Sequence, residues 1–290
     1  MVPMPYLQRQ LLSNGTTIPS PYLGGNPAIQ NQIGQISGTA SNGNQSYNAL
    51  QVVFQRRLEQ GLSFQGNYTW SKCLTDSIGY YGAGGQSAPS SAYWQNLYNK
   101  KSQWGPCFFD VTHIFSGYVT YDLPIGRNRR FGKQMNRALD AVVGGWQVNA
   151  LAGFHGGFPL TINAVDASGT KSRGPRANCI APPVVFGTQN VAAALGGGYQ
   201  WFSPASYVQA TSGFGTCGIG TVRGPRLNTV DLSITKLFHV TEHQNLEVRG
   251  EFINVSNTPI LNAPNRSIGS NLGVVKLVAG AAQYSVRCEI

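Results

Sequence analysis

The sequence predicts an all-β fold, an antiparallel sheet of the transmembrane β-barrel type. Three observations predict it: apolar and polar residues alternate over repeated segments, short connections alternate with long ones, and charges are few. Only 11% of the 290 residues are charged, roughly half the usual fraction in a soluble domain. The mean hydropathy is nevertheless slightly polar, at -0.15. A barrel accounts for both values, because its outer band faces lipid while its interior is polar.

The clearest element is the segment from Leu62 to Ser71, in which apolar and polar residues alternate without interruption. Because the side chains of a strand point alternately to its two faces, one face carries all the apolar residues. These residues are Leu62, Phe64, Gly66, Tyr68 and Trp70. About ten residues suffice for a tilted strand to cross a bilayer, so the segment is predicted to be a membrane-spanning strand.

Six further segments alternate in the same way, which gives about seven strands. They are residues 48–57, 114–123, 146–155, 229–238, 245–252 and 283–290. The alternation of segment 146–155 is compatible with an extension through Pro159–Ile162. Residues 134–143 are expected to form one or two helical turns. No apolar run reaches the roughly 18 residues of a transmembrane helix.

The connections between these segments are of two kinds. Residues 58–61 and 239–243 are short, whereas 72–110, 165–225 and 257–280 are long and rich in Gly, Ser, Pro and Asn. The two kinds alternate, so all the long connections fall at one end of the sheet. Outer-membrane barrels place periplasmic turns and extracellular loops in this way.

Aromatic residues favour a membrane location. Four of them lie near strand ends on the predicted apolar face, where barrels carry aromatic girdles at the membrane interfaces. They are Tyr68, Trp70, Tyr121 and Trp146. Alternation by itself also describes a soluble β-sandwich with one wet face, so a secreted binding module is an alternative.

The chain is basic, with a formal net charge of +10 and a pI near 9.5. Its densest basic group consists of Arg127, Arg129, Arg130, Lys133 and Arg137. The group lies within one predicted connection and does not form a stripe across several elements. We therefore interpret it as a solvated connection between strands and expect no nucleic acid partner.

The five cysteines are an odd number, so at least one has no partner within the chain. Cys73 and Cys107 bracket one long connection, and Cys179 and Cys217 lie within another. Each pair can close a loop by a disulfide in an oxidising compartment; five unpaired thiols are the alternative. Cys288 is left over on the last predicted strand.

No motif indicates an active site, so we expect no catalytic residue, no cofactor and no metal, and the protein is not expected to be an enzyme. Residues 213–218 match the pattern G-x-G-x-x-G, but the flanking strand and helix that dinucleotide binding needs are missing. Two carboxylates share the polar face of one strand with an arginine between them, which favours a charge ladder over an acid–base pair. These residues are Glu247, Arg249 and Glu251.

Seven short stretches carry a family resemblance and occur in the expected order. They are S-Y-N-A-L-Q (46–51), G-L-S-F-Q-G-N-Y-T-W-S-K (61–72), Y-D-L-P-I-G (121–126), G-G-W-Q-V-N (144–149), G-G-F-P-L-T (156–161), R-G-P-R-L-N-T-V-D-L-S (223–233) and E-F-I-N-V-S-N-T-P (251–259). Together they resemble the C-terminal barrel of TonB-dependent receptors, most closely the Oar-like group that has a carboxypeptidase-regulatory-like domain.

The resemblance implies a 22-stranded outer-membrane barrel in a Gram-negative-type bacterium. Residues 46–290 would form the C-terminal part of that barrel, a fragment of seven to eight strands with long extracellular loops, and residues 1–45 an irregular extracellular loop segment. The implied activity is the energised uptake of a large or scarce substrate. The implied partners are outer-membrane lipid, the N-terminal plug and barrel strands outside this chain, the TonB system acting through that plug, and an unknown substrate.

The start of the chain favours the interpretation as a fragment, because Met1–Tyr6 does not open a signal peptide. The last residue is Ile290, whereas barrels of the resembled kind usually end in an aromatic residue, which indicates a frameshift or divergence near the end. The alternative is a complete small barrel of about eight strands with an adhesive or structural role. That barrel would need one more strand from residues 1–45.

Overall fold

Seven long strands form one antiparallel sheet in the computed structural model. They are β1 (Gln45–Glu59), β2 (Leu62–Thr75), β3 (His113–Asp122), β4 (Trp146–His155), β5 (Leu227–His239), β6 (Asn245–Ile253) and β7 (Gln283–Glu289). Each strand pairs with the next one along the chain. The structure describes residues 2–3, 10–11, 17–18, 37–38, 43–77, 94–96, 99–168, 174–189, 198–239, 244–279 and 283–289. The predicted all-β antiparallel fold is confirmed.

The connections define two ends of the sheet. At one end, which we call the turn side, β1 and β2 are joined by Gln60 and Gly61, whose φ angles of 54° and 81° form a two-residue hairpin turn. The connection from β3 to β4 and that from β5 to β6 lie on the same side. The three long connections, after β2, β4 and β6, all leave from the opposite end, the loop side.

A short helix, α1 (Arg137–Val143), lies within the turn-side connection 123–145, as predicted. It begins after Asn136, whose side chain accepts a hydrogen bond from the backbone N–H of Leu139 at 2.7 Å. No helix among the described residues is long and apolar enough to cross a membrane.

The predicted extension of β4 through Pro159–Ile162 is wrong. β4 ends at His155, and Pro159–Leu160 pairs with Val222–Arg223. The chain leaves the sheet at Gly157, where a Cβ atom would lie 1.8 Å from the carbonyl oxygen of Gly224. Only glycine permits this close approach of the two backbones.

The register places the apolar residues of successive strands side by side on one face. One row across six strands contains Phe64, Val119, Ala150, Leu232, Phe252 and Tyr284. Many side chains of this face are exposed, up to 78% for Val286 on β7. Within the described residues every other sheet has only two strands, so there is no second layer of the size that a sandwich needs.

The main buried apolar cluster lies outside the sheet, in a unit that we call the loop cap (94–96, 99–112, 156–168, 174–189, 198–226 and 254–276). Its buried members are Leu160, Ile162, Ala177, Phe202, Tyr207, Cys217, Val222 and Leu272. None of them belongs to β1–β7. The loop cap is built from paired segments of only two residues, such as Tyr199–Gln200 with Val274–Val275.

The sheet is open. Among the described residues β1 pairs only with β2, and β7 pairs only with β6. Most of the predicted irregular segment 1–45 lies outside the described residues. Its described parts pair Val2–Pro3 with Ser37–Gly38, and Gln10–Leu11 with Thr17–Ile18.

Candidate functional site: the polar face and its loop cap

The face opposite the apolar one presents hydrogen-bonding side chains across the sheet. One cross-strand row contains Ser63, Thr120, Asn149, Ser233, Glu251 and Ser285. Towards the turn side, Gln147 donates to Asp122 at 2.8 Å, and Asn149 donates to the side-chain oxygen of Gln147 at 3.3 Å. In a barrel this face lines the interior.

A groove of about 340 Å³ opens on this face between β3 and β6. Its lining includes Tyr118, Thr120, Asn149, Leu151, Asp231, Ser233, Glu251 and Ile253. Asp231 is not free within it, because its carboxylate accepts from the backbone N–H of Asn254 at 2.7 Å. The groove therefore offers hydroxyl and amide groups beside the apolar side chains of Leu151 and Ile253, which suits a neutral ligand that has both polar and apolar parts.

The predicted charge ladder is confirmed on β6 and β7. Arg249 Nε donates to Glu247 at 2.9 Å, and its Nη1 lies 3.8 Å from Glu251. Glu251 also accepts from the hydroxyl of Ser285 at 3.2 Å and lies 4.0 Å from Arg287 Nε. Both carboxylates are thus engaged by cations, which is the arrangement of a structural ladder.

The four predicted girdle residues lie on the apolar face in two groups. Tyr121 and Trp146 are at the turn side, and Tyr68 and Trp70 are towards the loop side. Tyr121 is level with Leu62, eight residues before Trp70. Eight residues span about 27 Å along a strand, and a tilt of about 40° reduces this to about 21 Å, close to the roughly 25 Å height of a barrel's apolar band.

The structure contains both predicted disulfides. The Cα atoms of Cys73 and Cys107 are 5.4 Å apart, and those of Cys179 and Cys217 are 4.9 Å apart. Cys73 lies on β2, so the first bond attaches the loop cap to the sheet. The second bond lies within the loop cap. Cys288 is on β7, where it pairs in register with Val248.

The comparisons with known proteins agree with this geometry. A family model described as an outer membrane beta barrel domain matches residues 8–287. The chain belongs to this family. No curated protein and no solved structure matches it. The prediction of an outer-membrane location in a Gram-negative-type bacterium is confirmed. In a barrel of this kind the apolar face of the sheet is turned to lipid.

Sequence reasoning missed an ion pair of the loop cap with a buried carboxylate, between Asp110 and Arg223. Asp110 is 2% exposed, and its carboxylate forms an ion pair with Arg223 and accepts from the backbone N–H of Cys73 at 2.6 Å. The Arg223 guanidinium also donates to the backbone carbonyl of Asp110 at 2.7 Å. The two residues are 113 positions apart, so no local pattern could reveal the pair.

The stretches that carry the family resemblance meet in pairs at the ends of the sheet. On the loop side, G-G-F-P-L-T pairs with the start of R-G-P-R-L-N-T-V-D-L-S through Pro159 and Arg223. Asp231, in the stretch 223–233, accepts a hydrogen bond from the backbone N–H of Asn254, in the stretch 251–259. On the turn side, Y-D-L-P-I-G contacts G-G-W-Q-V-N, where Leu123 donates to the carbonyl of Trp146 at 2.8 Å. These stretches therefore hold connections at fixed positions on the sheet.

Three charged groups of the barrel domain on the loop side have shifted pKa values, and for one of them, Arg266, burial lowers the pKa. Burial raises the pKa of Asp76, but hydrogen bonds from Asn44 and Lys100 outweigh that effect and lower it below its ordinary 3.8. Burial lowers the pKa of Arg176 to about 10. Within the described residues Arg176 has no carboxylate partner; its guanidinium donates to the side-chain oxygen of Gln103 at 3.2 Å.

The remaining motifs carry no site chemistry in the structure. The glycine pattern at 213–218 lies in the loop cap, and the element that follows is the two-residue strand Val222–Arg223, not a helix. A helix N-terminus for a pyrophosphate is therefore missing at this position. No group of three or more metal-ligating residues occurs among the described residues.

Among the aromatic residues of the long loops, three stabilise the loop cap itself. Trp94 donates to the carbonyl of Asp76 at 2.7 Å, Trp201 donates to the carbonyl of Arg223 at 2.8 Å, and Phe202 is fully buried. Trp104, by contrast, is 42% exposed.

Proposed function

We propose that the chain forms part of the wall of a TonB-dependent receptor, which takes up a large or scarce substrate across the outer membrane with energy delivered through TonB. The observation that carries the proposal is the open sheet of seven strands, whose polar face lines an interior and whose two edges run in the same direction. The resemblance of the seven stretches supplies the receptor class.

The direction of the edges requires further strands. β1 and β7 both run from the loop side to the turn side. Neighbours in a closed up-and-down barrel are antiparallel, so β7 cannot adjoin β1, and closure needs an odd number of additional strands. This agrees with the even strand numbers of single-chain bacterial barrels. The 22 strands that the resemblance implies leave an odd number for the rest of the wall.

In this proposal the protein is a transporter and not an enzyme. The polar face supplies hydrogen-bonding groups along the interior, and the loop cap lies on the extracellular side, where the substrate arrives. The energy would be delivered to the plug, which lies outside the described sheet.

The requirement for further strands is tested by amide hydrogen exchange. We expect the amides of β1 that point away from β2 to exchange slowly in native outer membranes and fast in the isolated chain in detergent. β4, which is paired on both sides, serves as the internal control and is protected in both samples. Equally slow exchange of β1 in the isolated chain would favour a complete small barrel.

The receptor class is tested with the periplasmic domain of TonB as a probe. The chain is tagged, extracted in mild detergent from the outer membrane of its own bacterium after chemical cross-linking, and incubated with the purified domain. We expect capture of the domain by the barrel that contains the chain, and none by an unrelated porin. Equal capture by the porin, or none by either, would contradict the assignment.

A further inference from the structure

The helix α1 lies over the lipid-facing side of the sheet. Lys236 is in register with Trp146 and Val248 on the apolar face, yet it is only 4% exposed. Its ammonium group donates to the carbonyl of Gly144 at 2.6 Å and to that of Asp140 at 3.4 Å. These carbonyls close the C-terminal end of α1, which therefore covers the turn-side end of the apolar face.

A second contact fixes the helix in the same position. The indole Nε1 of Trp146 donates to the carbonyl of Val142 at 2.9 Å. The ammonium group of Lys236 lies 5.5 Å from the Trp146 ring and 4.9 Å from the Phe238 ring, both within the range of a cation–π contact. The helix is thus held where a periplasmic membrane interface meets the barrel wall.

The outer surface of this connection is apolar and exposed. Leu139 is 49%, Val142 66% and Phe131 56% exposed, and no residue of α1 is buried. The helix that carries it is held over the turn-side end of the apolar face of the sheet, the face that is turned to lipid. An amphipathic helix in this position has its apolar side chains at the boundary between acyl chains and headgroups.

The charges of the connection are positive. All five residues of the basic group are exposed, namely Arg127, Arg129, Arg130, Lys133 and Arg137. The only acidic residue between positions 123 and 145 is Asp140, and its carboxylate accepts from the backbone N–H of Arg127 at 2.6 Å. Anionic headgroups would complement this excess of cations.

We propose that the turn-side connection 123–145 is a binding surface for the anionic phospholipids of the periplasmic leaflet. Its apolar side chains enter the leaflet, and its arginines and lysine bind the phosphates. The basic group that looks like a solvated connection in the sequence thus has a definite partner. The proposal rests on the outer-membrane location and not on TonB-driven uptake, so either can fail without the other.

The test measures quenching of tryptophan fluorescence by brominated lipids. The full chain is reconstituted into vesicles of equal parts phosphatidylcholine and phosphatidylglycerol, with bromine on one lipid or the other. Each basic residue near an anionic surface contributes about a fivefold factor in local lipid enrichment, or roughly 1 kcal/mol. We expect brominated phosphatidylglycerol to quench the fluorescence more strongly than brominated phosphatidylcholine does. High salt should reduce this difference between the two lipids, and W146F should abolish it.

The decisive variant is R127Q/R129Q/R130Q, which we expect to lower the enrichment at least fivefold. Its control is K101Q/R226Q/K276Q, which removes the same charge from exposed positions on the loop side and keeps the preference. Far-UV circular dichroism in the vesicles shows that each variant keeps its β-structure. Equal quenching by the two lipids in the unmodified chain, or an equal loss in both triple variants, would overturn the proposal.

Discussion

Removal of the Cys179–Cys217 disulfide should destabilise the loop cap without altering its native contacts. The bond closes a loop of 38 residues, and the loop-closure entropy of that length is worth about 4 kcal/mol at 25 °C. The native geometry is held independently. Cys217 donates from its backbone to Ala177 at 3.0 Å, and Cys179 donates from its backbone to Thr216 at 3.1 Å. The double variant C179A/C217A therefore folds, and the loss appears as easier unfolding.

The magnitude can be checked by thermal unfolding in detergent, followed by tryptophan fluorescence. For a unit of about 100 residues, 4 kcal/mol corresponds to a fall in Tm of roughly 15–30 °C. C73A/C107A, which opens a loop of 34 residues, should give nearly the same fall. C288A is the control, because Cys288 lies outside both disulfides. A fall in C179A/C217A no larger than that in C288A would refute the loop-closure argument.

Three further changes have defined outcomes. R223M leaves the Asp110 carboxylate buried without its cation and should lower the free energy of unfolding by about 2–3 kcal/mol. The loss is smaller than for a fully buried pair because the arginine is partly exposed. Unfolding by denaturant measures this change. G66A should cost about 1 kcal/mol, because its Cβ would lie 2.0 Å from the Phe54 ring and displace that ring from its aromatic neighbours. The pKa of Asp76 is lower in the folded state than its ordinary value of 3.8. The ionised carboxylate therefore stabilises the fold above pH 3.8, and this stabilisation is lost as the pH falls through the lower, folded pKa. In D76N the free energy of unfolding should accordingly fall less steeply when the pH is lowered.

Two of these changes have a matched control. R226M alters an exposed arginine of the same segment and should have little effect on the free energy of unfolding. G250A adds a methyl group whose nearest neighbour is 3.6 Å away, an ordinary contact, and should be close to neutral. The argument for Arg223 is contradicted if R223M lowers the free energy of unfolding no more than R226M does, and the argument for Gly66 if G66A lowers it no more than G250A does. The argument for Asp76 is contradicted if D76N and the unmodified chain lose stability equally as the pH is lowered.

The sheet could be predicted from the sequence because its signal is local. Alternation with a period of two fixes which residues share a face, and that pattern placed the start of β4 correctly at Trp146. It failed where polarity stops alternating: β2 continues beyond Ser71 to Thr75 because its backbone pairs with Gln45–Asn48, which polarity does not reveal. Leu160 and Ile162 also alternate, but they belong to the core of the loop cap.

The candidate site was predictable only in part for the same reason. The polar face and the charge ladder around Arg249 follow from alternation and register. The loop cap is built from two-residue pairings and single bridges between distant segments, so it has no period to recognise. The contact of Lys236 with α1 depends on where a connection folds back over the sheet, and neither segment contains a signal for the other.

The composition of the loop cap makes its completion depend on one hairpin of the sheet. Its core joins the connection before β5 to the connection after β6, since Leu272 packs with Phe202 and Val275 pairs with Tyr199. The Cys179–Cys217 bond can form as soon as the first connection has reached the oxidising side. The rest of the core needs residues from both connections, so it is complete only when the β5–β6 hairpin that joins them holds both at the same end of the sheet. Completion of the extracellular unit thus reports that this hairpin is in place.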